Sequence, residues 1–285
     1  MTRQRALLVL LVVAVALAGC GSAADSGGAA TPTPDGDRTP TTAAPPDGTD
    51  GGSSAAAAVV AASRDVEEYH VDATVERTMT ANNRETSVTV ESAMAFDRTA
   101  RELALNRTQS GAARTVESAS YVTNGTYYQR RAAFESQYGS EWIRQDVSEN
   151  LSETWSRLDT LARQRALLEN ASVTVAEETT VNGTDALVLH VDGNESAYED
   201  EVAERLARAG TSGSVTVHNV SFTMTVATDT DRLLRSTGTV SSAVSGGGAT
   251  LALEEQLTLD FRYAPVDVSL PPGAETAVTP ETASA

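Results

Sequence analysis

The only cysteine of the 285-residue chain, Cys20, is the residue best suited to covalent chemistry. A disulfide within the chain is impossible, because this thiol has no partner. It follows a run of twelve apolar residues, Ala6 to Leu17, that is preceded by Arg3 and Arg5. A membrane-spanning helix needs about 20 apolar residues, so the run is too short to span. Its length and its basic flank instead match a secretory signal peptide.

The tetrad Leu17-Ala18-Gly19-Cys20 resembles the lipobox of lipoprotein signal peptides. In that family the cysteine sulfur receives a diacylglycerol, and cleavage leaves the cysteine as the new N-terminus. The resemblance implies that residues 1–19 are removed and that the lipid on Cys20 holds the protein at the extracytoplasmic face of the cell membrane. The alternative is an ordinary secretory signal with an incidental cysteine.

Asparagines form the second group of residues with a chemical signature. Seven of the nine asparagines begin an N-x-Ser/Thr sequence, whereas about two would be expected by chance. Six of these predict sites of N-glycosylation: Asn106, Asn124, Asn150, Asn170, Asn182 and Asn194. The seventh, Asn219, lies within a strand pattern and is the least suited. Turn geometry or helix capping is the alternative explanation for Asn124, Asn182 and Asn150.

No catalytic or metal-binding constellation is evident in the sequence, and no cofactor is expected. His70, His190 and His218 stand singly in strand patterns, without a second ligand at a metal-binding spacing. There is no G-x-S-x-G motif and no glycine-rich phosphate loop between a strand and a helix. Acidic pairs are abundant throughout the chain, so they carry no information about glycosidase chemistry.

Charge composition indicates the solvent in which the protein works. The chain has 39 acidic residues and 21 arginines, contains no lysine, and has a net charge of −18. Removing residues 1–19 takes away two arginines and no acid, so the net charge becomes −20. Molar salt screens such repulsion, which favours an extreme halophile; a GC-rich genome alone explains the arginines but not the acids. The charge argues against binding of nucleic acids.

Composition divides the exported chain into three parts. Residues 20–53 are rich in Gly, Ser, Thr, Pro and Ala and cannot bury enough apolar surface to fold, so they predict a disordered stalk behind Cys20. Residues 54–273 have the patterning of one folded domain. Residues 274–285 predict a flexible C-terminal tail.

Alternation of apolar and polar residues predicts that the domain is mainly antiparallel sheet. Residues 70–80 and 86–96 are clear examples, with these apolar residues on one face: Val71, Ala73, Val75 and Met79, then Val88, Val90, Met94 and Phe96. Asn124-Gly125 and Asn182-Gly183 separate such stretches and predict tight hairpins, because both residue types tolerate positive φ.

Three helices are predicted between the strands, which makes the fold class α+β rather than alternating α/β. They are Ser54–Val66, Asn150–Asn170 and Ser196–Ala209. Asn150 with Glu153, and Ser196 with Glu199, have the spacing of a capping box. The second helix carries one apolar stripe that includes Leu151, Trp155, Leu158 and Leu161.

Three short motifs resemble the LolA and LppX/LprG lipoprotein group, and the general layout is similar to that of haloarchaeal surface lipoproteins. They are "YVTNGTYYQR" followed by "SEW", "VATDTDRLLRSTGTV" with Asp229 and Thr230 in its turn, and "FRYAPVDVSLPPGA". The resemblance implies a curved antiparallel half-barrel with a helix over its concave face and a hydrophobic cavity for lipid chains. In such a fold the stripe of residues 151–161 would line the ligand space; in a simple globular domain it would be plain core.

These observations predict a membrane-anchored, extracytoplasmic protein that binds or carries a hydrophobic ligand and is not an enzyme. Its membrane contact is the lipid on Cys20, and no protein partner can be named from the sequence. Two alternatives remain open: an envelope sensor or regulatory domain, and a structural cell-surface glycoprotein without a ligand.

Overall fold

The computed structural model describes residues 48–111, 114–208, 213–246 and 249–280, which form eleven strands and five α-helices. The strands are β1 (Glu68–Ala81), β2 (Arg84–Asp97), β3 (Glu102–Gly111), β4 (Arg114–Thr123), β5 (Thr126–Arg131), β6 (Trp142–Asp146), β7 (Ser172–Val181), β8 (Thr184–Asp192), β9 (Ser214–Ala227), β10 (Leu233–Gly246) and β11 (Ala249–Arg262). The helices are α1 (Gly48–Arg64), α2 (Ala132–Tyr138), α3 (Leu151–Leu158), α4 (Thr160–Asn170) and α5 (Glu195–Arg208). Residues 1–19, Cys20 and the predicted stalk up to residue 47 lie outside the described residues.

The strands form one antiparallel sheet in the order β6-β5-β4-β3-β2-β1-β11-β10-β9-β8-β7. The first and last strands pair at its centre, where His70 lies opposite Arg262. From β1 the chain winds outward to the edge at β6, crosses through α3 and α4 to the other edge at β7, and winds back to β11. The sheet is open, with β6 and β7 at its edges, and its layout confirms the antiparallel half-barrel expected from the sequence.

The alternation predicted for the strands is confirmed on the inner face, meaning the face of the sheet that carries the main core. Val71, Val75 and Met79 on β1 are buried, and Phe96 on β2 is fully buried. The Tyr69 ring stacks on the Phe96 ring with centroids 4.5 Å apart. One continuous core joins this face to apolar residues of α1 and α4.

Both predicted Asn-Gly hairpins are present. Asn124 and Gly125 have φ values of 48° and 70° between β4 and β5, and Asn182 and Gly183 have 51° and 83° between β7 and β8. Positive φ at two successive residues is the conformation that matches the twist of the flanking strands.

The structure has five helices in its described residues, whereas the sequence predicted about three. The additional helix α2 buries no residue and ends at Gly139 in the left-handed conformation, with φ 74°. Because α2 has no side chain in the core, it lacks the apolar stripe by which a helix is recognised in a sequence.

The helix predicted over residues 150–170 is in fact two helices, broken at Asp159. This residue has an extended conformation (φ −63°, ψ 105°) and its carboxylate accepts a hydrogen bond from the Ala162 amide, so it caps α4. The capping box expected at Asn150 is not formed, because the Asn150 side chain makes no capping hydrogen bond. Because of this break, α3 and α4 are two separate helices that meet at Asp159.

The other two helices differ from prediction at their ends. Helix α1 begins at Gly48 rather than at residue 54, and Gly52 packs directly against the backbone of Val173 on β7. Helix α5 is capped by Asn194, whose Oδ1 accepts from the Ala197 amide, rather than by a box of residues 196 and 199. The Glu199 carboxylate instead accepts from the Val217 amide and ties α5 to β9.

The segment after residue 273 packs on the sheet as far as it is described. Ala274 and Ala277 are buried beside Trp142, and Val278 forms a parallel bridge with Ile143 on β6. This docking differs from the flexible tail expected over 274–285, and it covers part of the β6 edge.

Candidate functional site

A cavity of about 220 Å³ lies between the inner face and the helices that cross it. Its floor is formed by β1 to β5 and β11, and its roof by α3, α4 and the start of α5. Leu105 of the floor and Leu167 of the roof are only partly buried, although both pack against the main core. Protein interiors normally contain few voids larger than one water molecule, so this space is the candidate ligand site.

The register of the sheet places the floor residues in rows that run across the strands. The innermost row is Phe96, Leu103, Val122 and Tyr127, on β2 to β5 respectively. Phe96, Leu103 and Val122 are fully buried, and the Tyr127 hydroxyl lies 3.0 Å from the Ser120 hydroxyl. This end of the cavity is therefore apolar and lined by rigid rings and branched chains.

Four residues further along β2 to β5, the row that faces the cavity is polar. It consists of Ser92, Arg107, Ser118 and Arg131, paired in that order across the four strands. The intervening row is mixed: Met94, Leu105, Ser120 and Gln129. The floor thus changes from apolar to cationic along the strand direction.

Arg107 is the residue of this row whose pKa is shifted. Its side chain is half-buried, and burial lowers the pKa of its guanidinium; the charges of Arg131 and Arg77 lower that pKa further, while Tyr127 acts in the opposite direction. An arginine still keeps its proton at any ordinary pH, so the lowered pKa reports first the cost of burying the charge and second the proximity of other positive charges. Of these, Arg77 is compensated by a buried ion pair with its cross-strand partner Glu255.

The roof contributes two further arginines and an apolar strip. Arg157 on α3 pairs with Glu153 (Nη1–Oε1 2.7 Å), and the Arg163 Nη2 on α4 donates to the Thr160 hydroxyl at 3.1 Å. Leu158 lies over the floor beside them. Among the described residues that line the cavity four are arginines and none is Asp or Glu.

A buried ionic junction holds the two roof helices in place. Asp159 accepts from the Tyr69 hydroxyl at 2.7 Å and pairs with Arg98 (Nε–Oδ2 2.9 Å). Arg98 in turn donates to the Ser63 carbonyl at 2.9 Å and to the Val66 carbonyl. This junction connects the end of α1, the first strand and the break between α3 and α4, so the position of the roof is set from the sheet.

Burial strongly raises the pKa of Tyr69, and the negative charge of Asp159 raises it further. The phenol therefore remains a hydrogen-bond donor at neutral pH. The Tyr69 hydroxyl makes two hydrogen bonds in the core, to the Asp159 carboxylate and the Leu161 amide. Tyr69 therefore positions the helices, and it does not line the cavity.

The four residues of the predicted apolar stripe occupy three different environments. Leu158 lines the cavity. Leu161 is fully buried in the core, while Leu151 and Trp155 are partly buried against it. The Trp155 ring meets Phe96 edge-on, with centroids 6.1 Å apart. The break at Asp159 explains why Leu161 differs from the other three residues, because it belongs to α4 and they belong to α3.

The six predicted glycosylation sites are all exposed: Asn106, Asn124, Asn150, Asn170, Asn182 and Asn194. Two of them, Asn170 and Asn194, stand at the rim of the cavity. Exposure is a requirement for modification, and glycosylation at these residues stays a prediction. Cys20, the predicted lipidation site, lies outside the described residues.

Within the residues that the structure describes, no group of three or more His, Cys, Asp or Glu side chains is arranged to hold a metal ion. The His70 and His190 rings contact the Pro265 carbonyl and the Thr223 hydroxyl, respectively. None of the described helices is both long enough and apolar enough to cross a membrane.

The arginines of the cavity were missed in the sequence analysis. Their signal is present, because Leu103, Leu105 and Arg107 occupy successive inward positions of one strand, as do Tyr127, Gln129 and Arg131 on another. An arginine at the next inward-facing position after apolar residues indicates that part of the inner face is polar. What the sequence does not provide is the register that brings these two strands into one row.

The chain belongs to DUF7537, a family of unknown function, whose model matches residues 5–265. No curated protein sequence matches it. Among solved structures it is similar to LprF from Mycobacterium bovis, with 13% identity over 77% of this chain and 96% of that one and a TM-score of 0.42. It is also similar to the lipoprotein LppX of Mycobacterium tuberculosis, with 14% identity over 76% and 97% of the two chains and a TM-score of 0.38.

A third structural neighbour is a domain from Vibrio parahaemolyticus that is named as a putative outer membrane lipoprotein-sorting protein. It has 9% identity over 78% of this chain and 95% of that chain, with a TM-score of 0.25.

Proposed function

We propose that this member of the DUF7537 family binds a hydrophobic ligand of the lipid class in the cavity under α3 and α4. A lipid on Cys20 anchors the protein at the extracytoplasmic face of the membrane of a halophile, and the segment between Cys20 and the start of α1 at Gly48 is the stalk that gives the binding domain its reach. The proposed activity is binding or transport of the ligand rather than catalysis.

The observation that carries this proposal is the open space beside the partly buried apolar side chains of Met94, Leu105, Leu158 and Leu167. A closed and wholly apolar cavity of about 220 Å³ would cost about 5 kcal/mol of folding free energy, and the apolar part of this cavity costs a fraction of that. Packing one more side chain into the space would recover this energy. That the chain leaves it unfilled, with rigid side chains around it, supports a ligand site.

The size of the cavity limits the ligand. At about 220 Å³ it exceeds the roughly 150 Å³ cavity that accepts benzene and is below the 300–1,000 Å³ of pockets for drug-sized ligands. One acyl chain fits this range better than a multi-chain lipid. A larger ligand would require α3 and α4 to move outward about the break at Asp159.

Binding is tested with N-phenyl-1-naphthylamine, a neutral probe that fluoresces in apolar surroundings. We expect the wild-type domain to bind the probe and the cavity-filling variant Leu105→Trp to lose that binding. Ser110→Trp is the matched control, because it adds the same ring to an exposed position of β3. Equal probe binding by the two variants, or no binding by the wild type, would refute the proposed site.

The molecules that co-purify with the protein from the membrane distinguish a lipid carrier from a regulatory domain and from a structural glycoprotein. Native mass spectrometry of protein purified from its own membranes should find a stoichiometric lipid. A structural glycoprotein would carry none, and a regulatory domain would instead co-purify with a protein at fixed stoichiometry.

A further inference from the structure

The floor of the cavity has a direction, from apolar to cationic. On β3 the inward residues change from Leu103 through Leu105 to Arg107, and on β5 from Tyr127 through Gln129 to Arg131. Four residues of strand correspond to about 13 Å. An amphiphile has this polarity over a similar length, with an apolar chain at one end and a polar headgroup at the other.

The positive charge at the polar end of the cavity is unusual for a protein with a large negative net charge. The chain has 39 acidic residues against 21 arginines, so its surface repels anions. The described cavity lining nevertheless contains Arg107, Arg131, Arg157 and Arg163 and no carboxylate. This local reversal of charge lies next to the apolar end and faces the same space.

The geometry of the row suits an anion with several oxygens. Ser118 lies between Arg107 and Arg131 in the register, so the two guanidinium groups stand on alternate strands, about 10 Å apart at their backbones. The long arginine side chains can converge from that separation on one group. Guanidinium binds phosphate, sulfate and carboxylate through paired N–H donors, and the serine hydroxyls add further donors.

We propose that the ligand is an anionic amphiphile, with its acyl chain beside Leu105, toward Phe96 and Leu103, and its phosphate, sulfate or carboxylate headgroup at Arg107 and Arg131. This inference rests on the proposed function and specifies its ligand class. A bound anion would also offset the burial of the Arg107 charge and the repulsion between neighbouring arginines, the two causes that lower the pKa of Arg107 in the ligand-free protein.

The test compares ligands of one chain length that differ only in the headgroup. Dodecyl phosphate, lauric acid and dodecanol compete with N-phenyl-1-naphthylamine at a single salt concentration at which the protein is folded. We expect dodecyl phosphate to bind the wild type about tenfold or more tightly than dodecanol, as charge-assisted hydrogen bonds imply. Inorganic phosphate alone should not displace the probe or dodecyl phosphate.

Variants then locate the headgroup. Arg107→Gln and Arg131→Gln should each weaken dodecyl phosphate binding several-fold more than dodecanol binding, and Arg107→Lys should retain part of the preference for dodecyl phosphate. The matched control is Arg130→Gln on the opposite face of β5, where Arg130 pairs with Glu141 at the surface. Since Arg131 is exposed, its variant should fold even if the Arg107 variant is destabilised.

The outcomes separate this inference from the proposed function. If all three dodecyl compounds bind the wild type equally, the cavity binds a hydrophobic chain but the headgroup assignment is wrong. If the preference survives the loss of both Arg107 and Arg131, the anion binds elsewhere and the assignment is also wrong. If inorganic phosphate competes as well as dodecyl phosphate, the arginines form a site for a free anion. If the probe and dodecanol do not bind, the proposed function itself fails.

Discussion

The hydroxyl of Tyr69 on the first strand donates a 2.7 Å hydrogen bond to the carboxylate of Asp159 at the break between α3 and α4. The same hydroxyl accepts from the Leu161 amide at 3.2 Å. Tyr69 thus fixes the start of α4 to the sheet through two hydrogen bonds. The distance between the helices and the floor of the cavity depends on this contact.

The first prediction concerns the charge at this junction. Asp159→Asn should lower the free energy of unfolding by about 3 kcal/mol, because the partly buried Arg98 loses its counter-ion. Urea titration followed by circular dichroism measures the change. Glu169→Gln, which breaks the exposed pair with Arg64, is the control and should cost less than about 1 kcal/mol. Equal costs for the two variants would contradict the role given to Asp159.

The second prediction concerns alkaline pH. The pKa of Tyr69 is raised by burial and by Asp159, and burial raises that of Tyr263, whose hydroxyl donates to the Leu233 carbonyl at 2.7 Å. Above about pH 10 the unfolded chain releases these protons while the folded protein retains them, so stability should fall by about 1.4 kcal/mol per pH unit for each tyrosine. Below that pH the contribution of both groups is complete.

Tyrosine titration should stand out in this protein, because the chain contains no lysine. Tyr69→Phe should be less stable at neutral pH, through the lost hydrogen bonds, yet show a shallower decline between pH 10 and 12 in urea titrations. A decline as steep as that of the wild type would mean that Tyr69 is not the group responsible.

The third prediction separates core from cavity wall. Leu161→Ala removes a fully buried side chain and should cost about 3 kcal/mol. Leu158→Ala should cost about 1 kcal/mol, because a side chain that already borders open space loses fewer contacts. Only the Leu158 variant should change the affinity for N-phenyl-1-naphthylamine by enlarging the site. Trp155→Ala, at a partly buried ring against Phe96, should fall between them at about 2 kcal/mol.

The fourth prediction concerns salt. With a net charge of −20 after removal of residues 1–19, transfer from molar to about 0.1 M salt lengthens the Debye length from about 3 to about 10 Å and should loosen or unfold the domain. Circular dichroism and tryptophan fluorescence report the change. A domain that keeps both signals at low salt would contradict the proposed halophilic origin.

The fifth prediction concerns the anchor. Cys20→Ser should leave the precursor unprocessed or release the protein from the membrane, because this thiol is the only one available for a lipid. Fractionation and intact-mass measurement distinguish the two results. Unchanged fractionation together with an unchanged mass would refute lipidation at Cys20, and an ordinary secretory signal would then be the better explanation.

The parts of the fold that depend on neighbouring residues could be predicted from the sequence. The inward positions of β1 and β2 follow from alternation, and the Asn124-Gly125 and Asn182-Gly183 hairpins follow from residue types that tolerate positive φ. Helix ends were predicted less well. At the start of α5 several residues could serve as the cap; in the structure Asn194 does so, and Glu199 bonds to the Val217 amide on β9.

The parts that depend on distant residues could not be predicted. Helical periodicity continues through residue 159, and the break there is stabilised by Tyr69 and Arg98, which lie far away in the chain. The polar row of the cavity has the same origin. Arg107 and Arg131 are visible as inward charges on their own strands, but their common row follows only from the pairing of both strands with β4.

Pairing of β1 with β11 also determines when the domain can be completed. Each half of the sheet is a meander of neighbouring strands that can form locally, whereas the central pair joins the two ends of the folded region. A chain that is synthesised N-terminus first must therefore wait for its last strand, with the inner edge of β1 open in the meantime. Long-range pairing of this kind is slow, and the exposed edge is prone to aggregation. The β1 edge should accordingly stay unpaired on this side until residue 262 has been synthesised.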